Sequence, residues 1–209
     1  PIDVPGITVN RLCASGMDSI GIASRAIRSG DYEMAIAGGV ESMSRAPFVM
    51  PKAEAAFSRK AEIFDTSIGW RFVNPKMKAA YGVDSMPQTA DNVAADYRIS
   101  REDQDAFAAR SQARWVVAND QGLFADEIVP VTLPQRKGDP LIVAIDEHPR
   151  PGTTATQLGK LSGVNGPALI VTAGNPSGIN DGAGARFIAG EAAANAHCRT
   201  HIARIVPMP

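Results

Sequence analysis

Residues 6–30 have the pattern of a β-strand, a sharp turn and an α-helix, and this segment limits the fold more than any other. Its first part has the apolar and β-branched residues typical of a strand, namely Ile7, Val9 and Leu12. Apolar residues then recur at helical spacing over 17–27, and Gly30 suits the position just after a helix end. The chain must therefore turn sharply near residue 13.

A short apolar run bounded by glycines follows at 34–40 and predicts a buried strand. Strand, helix and strand in such a short stretch indicate a βαβ unit, so we expect a parallel pair with a right-handed crossover. A second unit is predicted near the end, with a strand over 169–173, a helix over 180–196 and a strand over 201–206. These units place the chain in the α/β class.

The intervening region lacks this repeat and is punctuated by proline and glycine over 45–85. Ser100 precedes Arg-Glu-Asp103, a signal for the start of a helix. The other elements predicted from periodicity are helices over 88–97, 101–119 and 153–161, and strands over 127–133 and 141–145.

Composition argues against several classes of function. The net charge is −1 and no segment of 18 residues is apolar, so we expect neither a nucleic-acid partner nor a membrane span. Only two cysteines occur, Cys13 and Cys198, which suits a reducing cytoplasm better than a disulfide framework. No metal is expected, because the three histidines are predicted to lie in a loop, at a helix end and at a strand start; they are His148, His197 and His201.

Cys13 lies where the predicted strand ends and the helix begins. Unpaired N–H groups at a helix start carry partial positive charge, which stabilises a thiolate, the nucleophilic form of cysteine. Gly16 would let the backbone or a substrate approach closely. A free cysteine is more often a small buried hydrophobe. The strand-to-helix turn around Cys13, here called the elbow, therefore leaves open whether Cys13 is a nucleophile or a core residue.

The motif Val9-Asn-Arg-Leu-Cys-Ala-Ser-Gly-Met17, followed by Ala37-Gly-Gly-Val-Glu-Ser-Met-Ser44, resembles the nucleophile region of the thiolases. Matching motifs at 88–93 and 171–183 extend the resemblance over almost the whole chain. Three further segments are most similar to the 3-oxoadipyl-CoA thiolases: 42–48, 68–72 and 81–88. The resemblance implies a layered α/β fold, coenzyme A as co-substrate without a permanently bound cofactor, and a homodimer or homotetramer.

The resemblance also implies roles for four residues. Cys13 would be acylated by a 3-oxoacyl-CoA, would pass the acyl group to coenzyme A, and would offer its N–H to the thioester oxygen. Arg150 and Ser177 match positions at the nucleotide end and along the pantetheine arm of coenzyme A, and Met86 matches a residue lining the pantetheine tunnel. From the residues alone, Arg150 could be a solvated charge, Ser177 a helix cap and Met86 part of the core.

Some parts of the thiolase pattern are missing. The sequence contains no Asn-Glu-Ala-Phe, Gly-His-Pro or Cys-x-Gly segment. By the resemblance these supply an oxyanion-hole asparagine, the histidine that activates the nucleophile and an acid/base cysteine. Pro176 and Arg186 also stand where the family has small or aliphatic residues. The chain begins with Pro1, so we expect a longer natural protein, and we expect these 209 residues alone not to catalyse thiolysis.

The predicted organisation has three parts: residues 1–42 from an N-terminal core, 43–161 as an inserted loop domain over the coenzyme A site, and 162–209 as the start of a C-terminal core. Three alternatives to a thiolase stay open. One is a non-catalytic acyl-CoA-binding module, which the missing acid/base segments favour. Another is a decarboxylating condensing enzyme of the ketoacyl-synthase kind, which would need paired histidines that are absent here. The third is a fragment without a function of its own.

Overall fold

The computed structural model describes residues 2–200 and 202–206. The chain divides into two compact units. Unit 1 comprises Pro1–Ala46 with Ile179–Pro209, and unit 2 comprises Pro47–Gly178. The three-part division of the chain after residues 42 and 161 stays a prediction.

Unit 1 consists of helix α1 (Ser15–Ser29) against a two-stranded sheet of β1 (Met34–Glu41) and β6 (Gly182–Ala189), followed by helix α6 (Glu191–Ala196). The predicted first helix is confirmed, as is its end at Gly30. This glycine adopts a φ of 84°, and its N–H donates to the carbonyls of the last helical turn. A residue without Cβ enters this left-handed conformation without steric cost.

The pairing of the strands differs from the prediction. Strands β1 and β6 are antiparallel, with Met34 opposite Ala189 and Glu41 opposite Gly182. The expected parallel βαβ pair is therefore wrong, and residues 5–11 before the helix form no strand. A strand exists only where a partner completes its hydrogen bonds, and β1 finds that partner in a distant part of the chain.

The burial of β1 was also predicted incorrectly. Ala37 is 3% exposed, but its neighbour Ile36 is 77% exposed and Val40 is 80% exposed. Successive side chains of a strand point to opposite faces. Helix α1 covers one face of the sheet, and in the described part of unit 1 the other apolar face remains open to solvent.

The second predicted unit is wrong in three places. The helix expected over 180–196 is a strand over 182–189 and a helix only from Glu191. Alanine favours helix, but the interspersed glycines weaken that preference and allow close pairing with β1. The strand expected over 169–173 is reduced to one bridge, between Gly163 and Thr172. Residues 202–206 have no regular structure, and His201 lies outside the described residues.

Unit 2 confirms the helices predicted over 88–97, 101–119 and 153–161 and the strands predicted over 127–133 and 141–145, with shifts of a few residues at their ends. Its helices are α2 (Pro75–Tyr81), α3 (Met86–Tyr97), α4 (Arg101–Asp120) and α5 (Ala155–Leu158). Its strands are β2 (Phe48–Val49), β3 (Phe64–Asp65), β4 (Val131–Leu133) and β5 (Leu141–Val143), which pair as β2–β3 and β4–β5. The predicted cap is present, because Ser100 Oγ accepts from the Asp103 N–H at 3.0 Å.

Among the described residues of unit 2, buried polar residues are as numerous as buried apolar ones. The buried apolar residues among those described are Ala94, Leu158 and Val171. Beside them lie three buried polar residues, Asp91, Asp105 and Thr172. Buried polar groups stabilise a fold only where they are hydrogen-bonded, so the partners of these side chains determine how the loops of unit 2 are held.

Candidate active site

Cys13 lies in a single 3-10 turn, Leu12–Ala14, that leads directly into α1. The thiol is exposed. Leu12 just before it has a φ of 52°, in the left-handed region that leucine rarely adopts. Such a conformation costs about 1–3 kcal/mol, so the surrounding contacts must hold the turn.

Side chains of the Cys13 motif itself supply those contacts. The Leu12 N–H donates to Asn10 Oδ1 at 2.9 Å, and the Arg11 N–H donates to Ser15 Oγ at 2.8 Å. Ser15 Oγ in turn donates to the Leu12 carbonyl at 2.7 Å. The Arg11 guanidinium forms an ion pair with Asp18 at 3.1 Å. The elbow is thus fixed locally, by residues within one short stretch of sequence.

Glycines bring the start of α1 against the backbone of β1. A Cβ on Gly39 would lie 3.2 Å from the Cα of Gly16, which leaves little room for any side chain there. Ser19 Oγ donates to the Gly38 carbonyl at 2.9 Å across the same contact. The close approach explains why the Cys13 motif and the motif at 37–44 both contain glycine. It also fixes the start of α1, which follows Cys13, against β1.

The Cys13 N–H has no hydrogen-bond acceptor among the described residues. It therefore belongs to the unpaired donors that precede the first full turn of a helix. An exposed thiol beside such an N–H can attack a carbonyl carbon while the N–H donates a hydrogen bond to the oxygen on which negative charge develops. Cys198, the other thiol, lies beyond α6, is also exposed and has a φ of 51°.

Asp181 joins two segments of unit 1 by hydrogen bonds, a role that the sequence analysis did not predict. Its carboxylate accepts from the Ser44 N–H at 2.9 Å and from Ser44 Oγ at 2.5 Å. The hydrogen bond from the Ser44 hydroxyl, followed by that from the Ser44 N–H, holds the pKa of Asp181 below its ordinary value. The contact joins the turn after β1 to the residues before β6. Both residues lie in thiolase-like motifs, and this was the signal that could have indicated their partnership.

The three residues matched to coenzyme A positions all lie in unit 2, whereas Cys13 lies in unit 1. Met86 begins α3 and is 74% exposed, so the interpretation of Met86 as a core residue is wrong. Ser177 is exposed in an irregular segment followed by a strand, so it caps no helix. Arg150 is exposed in a loop, and its guanidinium has no partner among the described residues. Their roles toward coenzyme A stay predictions.

Asp91, on α3, binds the segment 165–171, which precedes Ser177 in the chain. Its carboxylate accepts from the Ile170 and Val171 N–H groups, both at 3.0 Å, and from Asn165 Nδ2 at 2.7 Å. Burial raises the pKa of Asp91, but the three hydrogen bonds outweigh it and leave the pKa below its ordinary value. A charged carboxylate is therefore the stable form inside this unit.

Helix α4 makes further polar contacts of this kind. Asp105 is 3% exposed and pairs with Arg101 at 2.7 Å. Arg101 also donates to the carbonyls of Leu158 and Leu161, at 2.7 and 2.8 Å. Sequence reasoning missed these residues because a charged residue on a helix is normally solvated, and only the fold reveals which ones are buried.

Among the described residues, no group of histidine, cysteine or carboxylate side chains could hold a metal ion. His148 lies in a loop and His197 at the end of α6. In the part of the chain that the structure describes, every helix is too short or too polar to cross a membrane.

A family model and individual relatives both show similarity of this chain to thiolases. Residues 1–192 match the family model described as "Thiolase, N-terminal domain". A beta-ketoadipyl-CoA thiolase of Pseudomonas aeruginosa is 63% identical over 208 residues, which are 100% of this chain and 52% of that protein. A 3-oxoadipyl-CoA/3-oxo-5,6-dehydrosuberyl-CoA thiolase of Escherichia coli is 57% identical, with the same coverage of both chains.

The fold has counterparts among solved structures. The structure of human mitochondrial 3-ketoacyl-CoA thiolase in complex with CoA matches with a TM-score of 0.78 and 38% identity, covering 96% of this chain and 48% of that one. The α/β thiolase-like fold class is thereby confirmed. The chain spans about half the length of the curated relatives it matches.

Proposed function

The chain belongs to the thiolase family, whose N-terminal domain it matches over residues 1–192, and we propose that Cys13 is the acyl-carrying nucleophile of a thiolytic acyltransferase. The observation that carries this proposal is the turn Leu12–Ala14, which presents an exposed thiol beside the Cys13 N–H, a donor that has no partner among the described residues. The substrate class is a 3-oxoacyl-CoA. 3-Oxoadipyl-CoA is the favoured member, because relatives named for it are 57–63% identical.

The reaction follows from the chemistry of a thiolate and a 3-oxoacyl thioester. The Cys13 thiolate attacks the C3 carbonyl, and the Cys13 N–H stabilises the oxyanion that forms. The C2–C3 bond then breaks, its electron pair leaves on C2 as the enolate of acetyl-CoA, and the enolate takes a proton from an acid. The acyl group remains on Cys13 until the thiolate of coenzyme A attacks it and releases the shortened acyl-CoA.

The acid in that step is not contained in this sequence, because the histidine and cysteine segments that the resemblance assigns to it are absent. General acid/base groups typically contribute about 10²–10⁴-fold to the rate. We therefore expect these 209 residues to accept an acyl group slowly and not to turn over as an intact thiolase does.

We assign binding of coenzyme A to unit 2. Arg150 would pair with a phosphate at the nucleotide end, Ser177 would contact the pantetheine arm and Met86 would line its path. Two features support this assignment: all three side chains are exposed, and the Arg150 guanidinium is unpaired among the described residues. A guanidinium is well suited to bind phosphate.

Acyl transfer is tested by incubating the chain with acetyl-CoA at pH 8 and locating the acetyl group by peptide mass spectrometry. The thioester exchange moves the acetyl group from coenzyme A to a cysteine and releases free coenzyme A. We expect the adduct on Cys13, its loss in Cys13→Ser and its retention in the matched Cys198→Ser variant. Equal acetylation of both cysteines would remove Cys13 from the mechanism. Coenzyme A binding without any adduct would favour the non-catalytic binding module.

Binding is tested by titration calorimetry with coenzyme A. Arg150→Ala is expected to weaken the affinity, and to do so more strongly at low salt, because salt already screens the ion pair in the wild type. Arg114→Ala, an exposed arginine on α4, is the matched control and should leave the affinity unchanged. Equal affinities of wild type and Arg150→Ala would exclude Arg150 from the site.

We further propose a homo-oligomer, a dimer or tetramer, in the cytoplasm. The exposed apolar residues Ile7 and Leu12 at the opening of the chain support association, since they are 83% and 74% exposed. Light scattering that gave the mass of a monomer at micromolar concentration would contradict the proposed oligomer.

The proposed cytoplasmic location is supported by the two widely spaced free cysteines.

A further inference from the structure

Two residues proposed to contact coenzyme A lie on loops that have no regular structure of their own. Arg150 precedes the turn at Pro151–Gly152, and Ser177 follows the irregular segment 173–176. A loop side chain can bind a ligand in a defined place only if other contacts fix its backbone. The residues that hold these two loops therefore matter to the site, although they do not touch the ligand.

The Arg150 loop is held through its backbone. The Arg150 N–H donates to Gln112 Oε1 on α4 at 2.9 Å, and the Arg150 carbonyl accepts from Thr153 Oγ1 at 2.6 Å. Gly152 closes this turn with a φ of 79°. The guanidinium takes no part in these contacts, so the backbone is fixed while the charged end stays available.

The Ser177 loop is held by the side chain of Asn175. Its Oδ1 accepts from the Thr172 N–H at 2.9 Å, and its Nδ2 donates to the Ile170 carbonyl at 2.9 Å. The same Nδ2 donates to Asp105 Oδ1 on α4 at 3.1 Å. Ser177 thus follows, two residues later, an asparagine that is anchored to a buried carboxylate.

Asp105 and Gln112 are seven positions apart on α4. In an α-helix this separation corresponds to about 20° around the axis and about 10 Å along it. The two side chains therefore lie on one face, and a rigid helix sets the distance between the two loops.

We propose that this face of α4 positions coenzyme A, with Gln112 as the positioning residue for the nucleotide end and Asp105, through Asn175, for the pantetheine arm. The inference rests on the proposed function, because it takes Arg150 and Ser177 as the contacts to the ligand. The inference also says that the two ends of coenzyme A are positioned by different residues of one helix. A substitution should therefore weaken the binding of one end without weakening the binding of the other.

The test is to titrate the chain with adenosine 3′,5′-bisphosphate and with pantetheine separately. Gln112→Met removes the acceptor at similar volume, and Gln112→Glu restores an oxygen acceptor. Loss of one ordinary hydrogen bond predicts about fivefold weaker bisphosphate binding in Gln112→Met, rescue in Gln112→Glu and unchanged pantetheine binding. Asn175→Ala is expected to weaken pantetheine binding and to spare the bisphosphate. Gln121→Met, at the end of the same helix, is the matched control.

A second measurement is independent of any ligand. Amide hydrogen exchange at Arg150 should be faster in Gln112→Met than in the wild type and should return to the wild-type rate in Gln112→Glu. If the wild type binds both compounds and Gln112→Met binds them equally well, or loses both together, the positioning role is wrong and the proposed function stands. If the wild type binds neither compound, the proposed coenzyme A site fails, and the positioning role fails with it.

Discussion

The two units of the molecule hold their candidate functional residues in different ways. In unit 1, the elbow around Cys13 is fixed by side chains of the same short motif and by glycines that let two backbones meet. In unit 2, the segments that lead to Arg150 and Ser177 are also held by polar side chains from distant helices: Gln112 lies 38 residues from Arg150, and Asp91 lies 80 residues from Val171. Unit 1 depends on hydrogen bonds within one short motif and on close packing of two backbones, whereas unit 2 depends on hydrogen bonds between distant parts of the chain.

This comparison predicts which substitutions each unit tolerates. Unit 1 should be sensitive to added methyl groups and indifferent to many polar changes. Unit 2 should be sensitive to the loss of single carboxylates. Both tryptophans, Trp70 and Trp115, lie in unit 2, so tryptophan fluorescence reports on unit 2 and far-UV circular dichroism on both units.

The largest effect is expected for Gly38→Ala. A Cβ at this position would lie 2.2 Å from the Gly184 carbonyl oxygen, which is backbone and cannot rotate away. We expect a loss of more than about 3 kcal/mol, enough to disrupt the β1–β6 pair. Circular dichroism during urea unfolding should show the loss, with tryptophan fluorescence almost unchanged.

Gly184→Ala is the control for that experiment. Gly184 lies in the facing strand, and a Cβ there would meet nothing within 4 Å. Its stability should stay within about 1 kcal/mol of the wild type, as for an ordinary glycine-to-alanine change. Equal destabilisation by both substitutions would show that the close approach at Gly38 is not what limits unit 1.

The next largest effect is expected for Asp91→Ala in unit 2. The substitution leaves the N–H groups of Ile170 and Val171 and the amide of Asn165 without their shared acceptor. Unsatisfied buried groups cost about 1–3 kcal/mol, so the midpoint of urea unfolding followed by tryptophan fluorescence should fall clearly. Asp96→Asn, on the exposed side of the same helix, should leave the midpoint in place. A midpoint for Asp91→Ala equal to the wild type would contradict the role of this carboxylate.

Acid should weaken both units through depressed carboxylate pKa values. The pKa values of Asp91 and Asp181 lie below 3.8 in the folded chain, so the folded state binds fewer protons than the unfolded state near that pH. The stability that these groups contribute is therefore present above the pKa of the unfolded chain and is lost as the pH falls through the folded pKa values. Asp91→Asn should flatten the acid dependence of tryptophan fluorescence, and an unchanged acid transition would contradict the prediction.

The smallest effect is expected for Asp18→Asn, which breaks the ion pair with Arg11 at the elbow. The arginine side chain is 71% exposed, and exposed pairs contribute about 0.2–1 kcal/mol. Unfolding by urea should shift only slightly, and less at high salt, because salt screens the wild-type pair. A shift as large as that of Asp91→Ala would mean that the elbow depends on this pair and not on Asn10, Ser15 and the glycines.

The sequence predicted the elements whose signals are local. The spacing of apolar residues and Gly30 located α1, the Ser100 cap located the start of α4, and the strand patterns at 127–133 and 141–145 located β4 and β5. The Cys13 motif also indicated the elbow, because the side chains that fix it are part of the motif. Each of these features requires only a few neighbouring residues.

Tertiary structure decided the rest, because the outcome depended on partners that sequence spacing does not reveal. The alanine-rich segment 182–189 has a composition that favours helix, yet pairing with β1 makes it a strand. Asp91, Asp105 and Gln112 read as ordinary polar residues of solvated helices, and only the fold brings distant backbone and side-chain donors to them. A buried carboxylate is stable only where such donors surround it. Local propensity therefore determined the elements whose signals lie in neighbouring residues, and long-range pairing determined that segment 182–189 is a strand and which polar side chains are buried.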